Sequence, residues 1–305
     1  MNKKNNVIGY VLPLIITIGY GVYGTLIMSV IMAIEKVSYE LAVTVVNTVI
    51  SVTVIGIILL VKGKFGKVSL KSYFAGIGIY ALPMTLFLIF SFLDAIIWIF
   101  GKGRWFYPPN LNEMFWINLI LCISIGVNEE LVFRTAVTNC LFRNKSYSKA
   151  RIIIGCIYSA IVFGIMHIPN FIIDKQTEMN AKISNIIFVG VIGFVFQAIY
   201  LKTKNILVVM TLHAVWDFAN IWNTMMVTQR YGDDGKYFFM NRQIVILVVM
   251  TIIAGIILWR SKSEDLTLYP QIDSEKENRS KNHSIWCIMY FFIICIWIQI
   301  FRVYK

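Results

Sequence analysis

Hydrophobic residues run in long windows along this chain, separated by short stretches that gather its charges. Nine windows stand out, at roughly 7–34, 41–62, 73–101, 114–142, 151–173, 183–201, 206–228, 242–260 and 284–304. Each reaches or approaches the ~20 apolar residues that carry a helix across ~30 Å of hydrocarbon. A backbone in lipid must satisfy its hydrogen bonds within its own segment, so the pattern predicts an all-α fold, a polytopic transmembrane helix bundle. The expected count is about eight or nine transmembrane helices, in a single integral membrane domain over 1–305. The polar segment 261–283 forms a loop before the last window, and the pattern leaves open whether 284–304 crosses. The first window is too long for a signal-peptide core and lacks a clear cleavage site, so it is expected to remain in the protein.

Composition points the same way. Of 305 residues, 58% are hydrophobic and 14% charged, with a mean hydropathy of +0.72. A soluble domain carries about 25% charged residues, so this chain's surplus apolar surface must meet a lipid bilayer. The net charge of +12 would suit nucleic acid, but the basic residues sit in short loops between apolar windows, so no nucleic-acid partner is expected. With the N-terminus inside, the inner segments hold 17 of the 28 Lys and Arg and the outer segments 10. That bias predicts a multi-pass membrane protein with its N-terminus in the cytoplasm. The five cysteines, Cys122, Cys140, Cys156, Cys287 and Cys295, form no CxxC pair and read as small hydrophobes.

Few ionisable groups interrupt the windows: Asp94, Glu129, Glu130, Arg134, His167, His213 and Asp217. A charge at the bilayer centre costs about 2.5–3.5 kcal/mol on insertion scales, so each needs a partner or a function. Glu130 and Arg134 stand i, i+4 in "EELVFR" and can pair. Glu129 is offset from Glu130 by about 100° and is not consumed in the same way. Phe163 and His167 in "FGIMH", and His213 and Asp217 in "HAVWD", repeat the i, i+4 spacing. Asp94, near the outer end of its window, is expected to face water.

If the three stripes converge, they assemble carboxylates and two imidazoles in a protein-lined cavity. Such a set can take a proton from water. Imidazoles can also donate to a developing oxyanion or hold a metal that acidifies water. Blander readings compete: helix glue for the Glu–Arg pair, satisfied polar contacts for the histidines, a proton or ion relay for Asp217. Straight helices rising ~1.5 Å per residue put His213 about 10 Å above the inner end of its window, Glu129 nearer 20 Å and His167 nearer 24 Å. Convergence therefore demands tilted, bent or shorter helices, and Pro169 is a signal that the His167 helix ends early.

The ordered motifs EExxxR, FxxxH and HxxxD resemble those of the CAAX protease and bacteriocin-processing family (CPBP, or Abi), which are intramembrane endopeptidases. The resemblance covers a core of about 114–228, a third of the chain. It implies a bundle of about eight transmembrane helices with an active site open toward the cytosol. It further implies that Glu129 is the water-activating base, aided by His167. His213 and Asp217 would stabilise the oxyanion or complete a metal site. Glu130 and Arg134 would brace the site, with Phe163 in support. Asp217 stands where many members carry Asn. The resemblance leaves both a metalloprotease and a metal-independent glutamate protease open, so Glu129, His167, His213 and Asp217 are also candidate ligands for Zn2+.

Other signatures are missing: there is no HExxH, and no GxSx serine candidate. "YGDDG" at Tyr231 to Gly235 lies in a segment expected to be a polar loop. The "GIG" at Gly76 to Gly78 reads as membrane-helix glycine. Lysines outnumber arginines 19 to 9, and Ile and Asn are plentiful, which suggests an AT-rich bacterial genome. A bacterial plasma-membrane protease acting on a peptide or membrane-protein substrate is the expected function, with bacteriocin immunity among the roles the resemblance allows. The alternatives are a transporter or proton relay, and a non-catalytic immunity or scaffold factor.

Overall fold

The computed structural model describes residues 3–32, 39–60, 69–89, 111–142, 147–168 and 178–266, with side chains described outside 3–9, 25–41, 54–60, 111–114 and 222–242. Every element among the described residues is helical. In chain order they are α1 (Lys3–Met32), α2 (Tyr39–Leu60), α3 (Leu70–Ala75, continued by a π turn over Gly76–Tyr80), α4 (Leu82–Ile89), α5 (Leu111–Glu130), α6 (Lys149–Ile165), α7 (Met179–Thr203), α8 (Ile206–Arg260) and α9 (Ser263–Leu266). A π turn, Leu131–Val137, and a last short helix, Thr138–Leu141, extend α5.

Among the described residues, three helices are long and apolar enough to cross a membrane: Phe115–Leu141, Met179–Thr203 and Gln243–Arg260. The pair α3–α4 makes a fourth if it counts as one broken span. The outside of the bundle carries the mark of lipid. Ile154, Ile157, Ile161 and Ile165 on α6, and Val245, Val248, Ile252, Ile256 and Trp259 on α8, form exposed apolar stripes at helical spacing. Asn47, Asn128, Glu130, Arg134 and Gln197 are buried. A surface of large aliphatics around a polar interior is a membrane arrangement.

Three expectations change. The window 73–101 was expected to be one straight span, but its described part bends by 82° between α3 and α4. Pro83 explains the break: it lacks the N–H that a continuous helix would use, and it disfavours helical backbone at the residue before it. Thr85 Oγ1 donates to the Ile77 carbonyl at 2.9 Å, which satisfies an acceptor freed by the bend. The helix expected over 151–173 ends at Ile165, so His167 lies in the turn beyond it. Tyr231 to Gly235, expected in a loop, is helical within α8. At ~1.5 Å per residue α8 is far too long for one crossing. Its two ends nevertheless meet the same end of the bundle: Asp265 is near enough to act on the Lys204 charge, and Lys149 Nζ donates to the Trp259 carbonyl. Its apolar arms are Ile206–Ile221 and Gln243–Arg260, of which the second is long and apolar enough to cross a membrane.

Asp94, Cys287, Cys295, most of the polar segment and the window 284–304 lie outside the described residues. Cys122 and Cys156 are buried free thiols and Cys140 is half-buried.

Close helix crossings position the site. A Cβ on Gly126 would lie 2.8 Å from the Ala214 backbone nitrogen, so α5 and α8 touch almost backbone to backbone one residue from His213. Gly193 gives Phe163 a similar seat, where an added Cβ would meet Phe163 Cδ1 at 2.8 Å. Small residues at such crossings let dispersion and hydrogen bonds hold helices that lipid does not push together.

Candidate active site

The π turn over Leu131–Val137 begins directly after Glu130. It is one residue wider per turn than an α-helix, so residues after it rotate by about 100° relative to those before. Its carbonyls need partners, and Thr138 Oγ1 donates to the Phe133 carbonyl at 2.7 Å. Such wide turns gather at functional sites, and here the turn holds Arg134 inward beneath Glu130.

From there a chain of charged contacts crosses to α8. Arg134 Nε donates to Glu130 Oε2 at 2.7 Å and Nη2 donates to Oε1 at 3.4 Å, with both side chains fully buried. His213 Nδ1 lies 2.9 Å from Glu130 Oε1. An ionised carboxylate only accepts, so Nδ1 is the donor and carries a proton. His213 Nε2 then faces Asp217 Oδ2 at 3.4 Å and Glu129 Oε2 at 3.7 Å. Glu129 Oε2 is buried and has no hydrogen-bond partner in the protein. Exposure rises along the chain of contacts, from 0% at Glu130 to 12% at Glu129 and 26% at Asp217, so the site opens on the Asp217 side.

Aromatic rings form the walls. Phe163 stands edge-on to Phe133, His167 and His213, with ring centroids 4.8, 5.4 and 6.0 Å away. The Arg134 guanidinium lies 5.2 Å from the same ring. Phe196 lies 5.5 Å from His213 on another side. His167 Nδ1 contacts the Phe163 carbonyl at 3.0 Å, which leaves Nε2 as the nitrogen the imidazole can offer. His167 is near enough to His213 and Asp217 to feel their charges.

The structure thus brings Glu129, Glu130, Arg134, His213 and Asp217 into direct contact and sets His167 beside them across Phe163. These contacts bring the motifs together despite the unequal heights that straight helices would give. Sequence reasoning missed Gln197. Its buried Oε1 accepts from Thr138 Oγ1 at 3.1 Å, Ser159 Oγ at 3.3 Å and Arg134 Nη1 at 3.5 Å. A lone amide in the apolar stretch "GFVFQAIY" was the available signal, a faint one beside the charged groups.

Among the described residues, no group of three or more His, Cys, Asp or Glu side chains meets in the manner of a metal site. His213 commits Nδ1 to Glu130 and offers Nε2 toward Glu129 and Asp217, and a metal-ligating histidine likewise holds its second nitrogen on a carboxylate. On the side of α8 turned away from His213, Thr211, Leu212 and Val215 border an apolar hollow of about 300 Å³, flanked by Ile77, Thr85, Leu88 and Ile89 of the bent pair.

No curated protein and no solved structure matches this chain. Residues 111–219 match the family model described as type II CAAX prenyl endopeptidase Rce1-like. That stretch runs from the start of α5 to just beyond Asp217 and holds all three motifs. The members of that family are proteases, and over 111–219 this chain is similar to them.

Proposed function

We propose that this protein is an intramembrane endopeptidase that hydrolyses a peptide bond near the membrane with a water activated by Glu129. The observation that carries the reading is the Glu129 Oε2 atom: buried, without a protein partner, and 3.7 Å from His213 Nε2. A buried polar atom normally finds a partner, so an unpartnered carboxylate oxygen beside an imidazole suits a reacting molecule.

Glu129 takes a proton from water while the water oxygen bonds to the substrate's carbonyl carbon. The carbonyl oxygen gains negative charge, and His213 Nε2 donates to it. Glu130 keeps the other imidazole nitrogen protonated and the ring oriented. His167 aids Glu129 in holding the water. The C–N bond then breaks as Glu129 returns its proton to the leaving nitrogen, so protons and electron pairs balance. Fixed donors of this kind contribute about 2.7–4 kcal/mol each to an acyl-transfer barrier. Arg134, Gln197 and Phe163 hold the reacting groups and do not react. No step is routed through a metal.

A bacterial peptide or membrane protein is the substrate we favour. The full chain would cross the plasma membrane eight or nine times with its N-terminus in the cytoplasm. Purified wild type, Glu129→Ala and His213→Ala, assayed on fluorogenic peptides with prenylated and unmodified ends, test the reading. Cleavage by the wild type alone supports it. Equal cleavage by all three, or none by any, overturns it.

A further inference from the structure

Asn128 directly precedes Glu129, and its side chain is wholly buried. Its amide is engaged across two helix boundaries. Nδ2 donates to Tyr20 Oη on α1 at 2.8 Å and to Asn47 Oδ1 on α2 at 3.0 Å. Oδ1 accepts from Ser51 Oγ on α2 at 3.2 Å. Asn47 Nδ2 donates back to Ser124 Oγ, one turn earlier on α5, at 3.2 Å. Ser124 Oγ in turn donates to the Leu121 carbonyl at 2.7 Å. The Tyr20 ring stands edge-on to Phe133, 6.5 Å between centroids.

We infer that Asn128, with Tyr20 and Asn47, is a positioning residue that fixes the rotation of α5 and so aims the Glu129 carboxylate at His213. The inference rests on the reading of Glu129 as the base. Successive helical residues point about 100° apart, so Asn128 faces α1 and α2 while Glu129 faces α8. A bond to one neighbour fixes a distance; bonds to two neighbours fix the rotation. With a carboxylate about 6 Å from the helix axis, a 20° rotation moves it by about 2 Å. Misplacement by about 1 Å can cost a hundredfold in rate. Neither Tyr20 nor Asn47 falls in the motif-bearing core, so the network makes α1 and α2 part of the site.

The test uses the full chain in lipid nanodiscs, with Tyr20→Phe, Asn47→Ala and Asn128→Ala beside Glu129→Gln. Tyr20→Phe keeps the ring against Phe133, so it reports on the hydrogen bond even if Asn128→Ala does not fold. Two readouts are taken on folded protein: kcat and KM, and the infrared carboxyl band assigned to Glu129 by its loss in Glu129→Gln. We expect kcat to fall tenfold or more with KM unchanged, and the Glu129 band to shift. Mere helix glue would lower the folded fraction and leave both readouts at wild-type values, which would overturn the inference while the protease reading stood. A shifted band in a protein that cleaves nothing supports the positioning and sinks the protease reading. An unmoved band with no cleavage sinks both.

Discussion

His213 Nδ1 lies 2.9 Å from Glu130 Oε1, and that contact joins the two halves of the site. It ties α8 to the Glu130–Arg134 pair on α5 and turns the other imidazole nitrogen toward Glu129 and Asp217. Two adjacent glutamates thereby take different work. Glu130 is spent on holding Arg134 and His213, whereas Glu129 keeps an oxygen that no protein group claims.

Exchanging each glutamate in turn separates these roles. Glu129→Gln should remove cleavage by at least a hundredfold, of the order expected for losing a general base, and leave thermal stability near wild type. Glu130→Gln should lose activity and also stability, because Arg134 would remain fully buried without its counter-charge. Breaking one side of such a pair costs about 3–5 kcal/mol. Turnover and unfolding temperature in detergent, measured on both variants, decide it. Equal stability loss in the two would mean that Glu129 is also a structural group.

Gly126→Ala should act on the site without touching a charge. The new Cβ would fall 2.8 Å from the Ala214 nitrogen, a backbone atom that cannot swing away. The α5–α8 crossing would have to open, at a cost of about 1–3 kcal/mol for overpacking, and His213 would move from Glu129. Gly78→Ala is the control, since nothing lies within 4 Å of its Cβ position. Activity lost in Gly126→Ala and kept in Gly78→Ala is the expected result.

Asp217 is a carboxylate placed beside a developing oxyanion, 3.4 Å from the nitrogen assigned to stabilise it. Asp217→Asn keeps the size, adds an N–H donor and removes a repelling charge, so kcat should hold or rise. Asp217→Ala removes the polar group and should lower kcat. Steady-state kinetics on both variants check the ordering, and Asn falling below Ala would refute it.

The members of the candidate site were easier to read in the sequence than its geometry. Three motifs at i, i+4 spacing named Glu129, Glu130, Arg134, His213 and Asp217, because charges in hydrocarbon are costly and so conspicuous. The π turn after Glu130 was hidden: "LVFRTAV" carries no breaker, and the extra residue per turn is set by packing and by Thr138. Gln197 and Asn128 were hidden for a different reason. Neutral amides cost less in a membrane than charges, so neither stood out from the apolar residues around it. The break at Ala81 was legible in Pro83 and two nearby glycines, but a long hydrophobic run outweighed them.

Metal removal should leave the proposed cleavage intact. The donors around His213 form no three-ligand group among the described residues, and the proposed mechanism takes its base and its oxyanion donor from protein side chains alone. After exhaustive treatment with phenanthroline and elemental analysis, we expect far less than one zinc per chain and turnover within about twofold of the untreated protein. Loss of turnover that added zinc restores would show that the side chains rearrange around a metal, and Glu129 would then act on a metal-bound water.

Lys204 gives the pH prediction. It sits between α7 and α8, outside both spans, with φ of 55° and its Nζ buried without a hydrogen-bond partner. Burial pushes the ammonium down to about 7, partly opposed by Asp265. In the unfolded chain a lysine titrates near 10.4. Between those values the unfolded chain binds a proton that the folded protein does not, so this group makes stability rise with pH from about 7 to about 10. Below about 7 the folded protein carries the buried charge at full cost. Lys204→Met keeps the apolar stem without the charge, so it should stabilise most near pH 6 and progressively less toward pH 10. Unfolding temperatures for wild type and variant across that range should converge as pH rises. Parallel curves would mean that the ammonium finds water or a headgroup in the bilayer and stays charged.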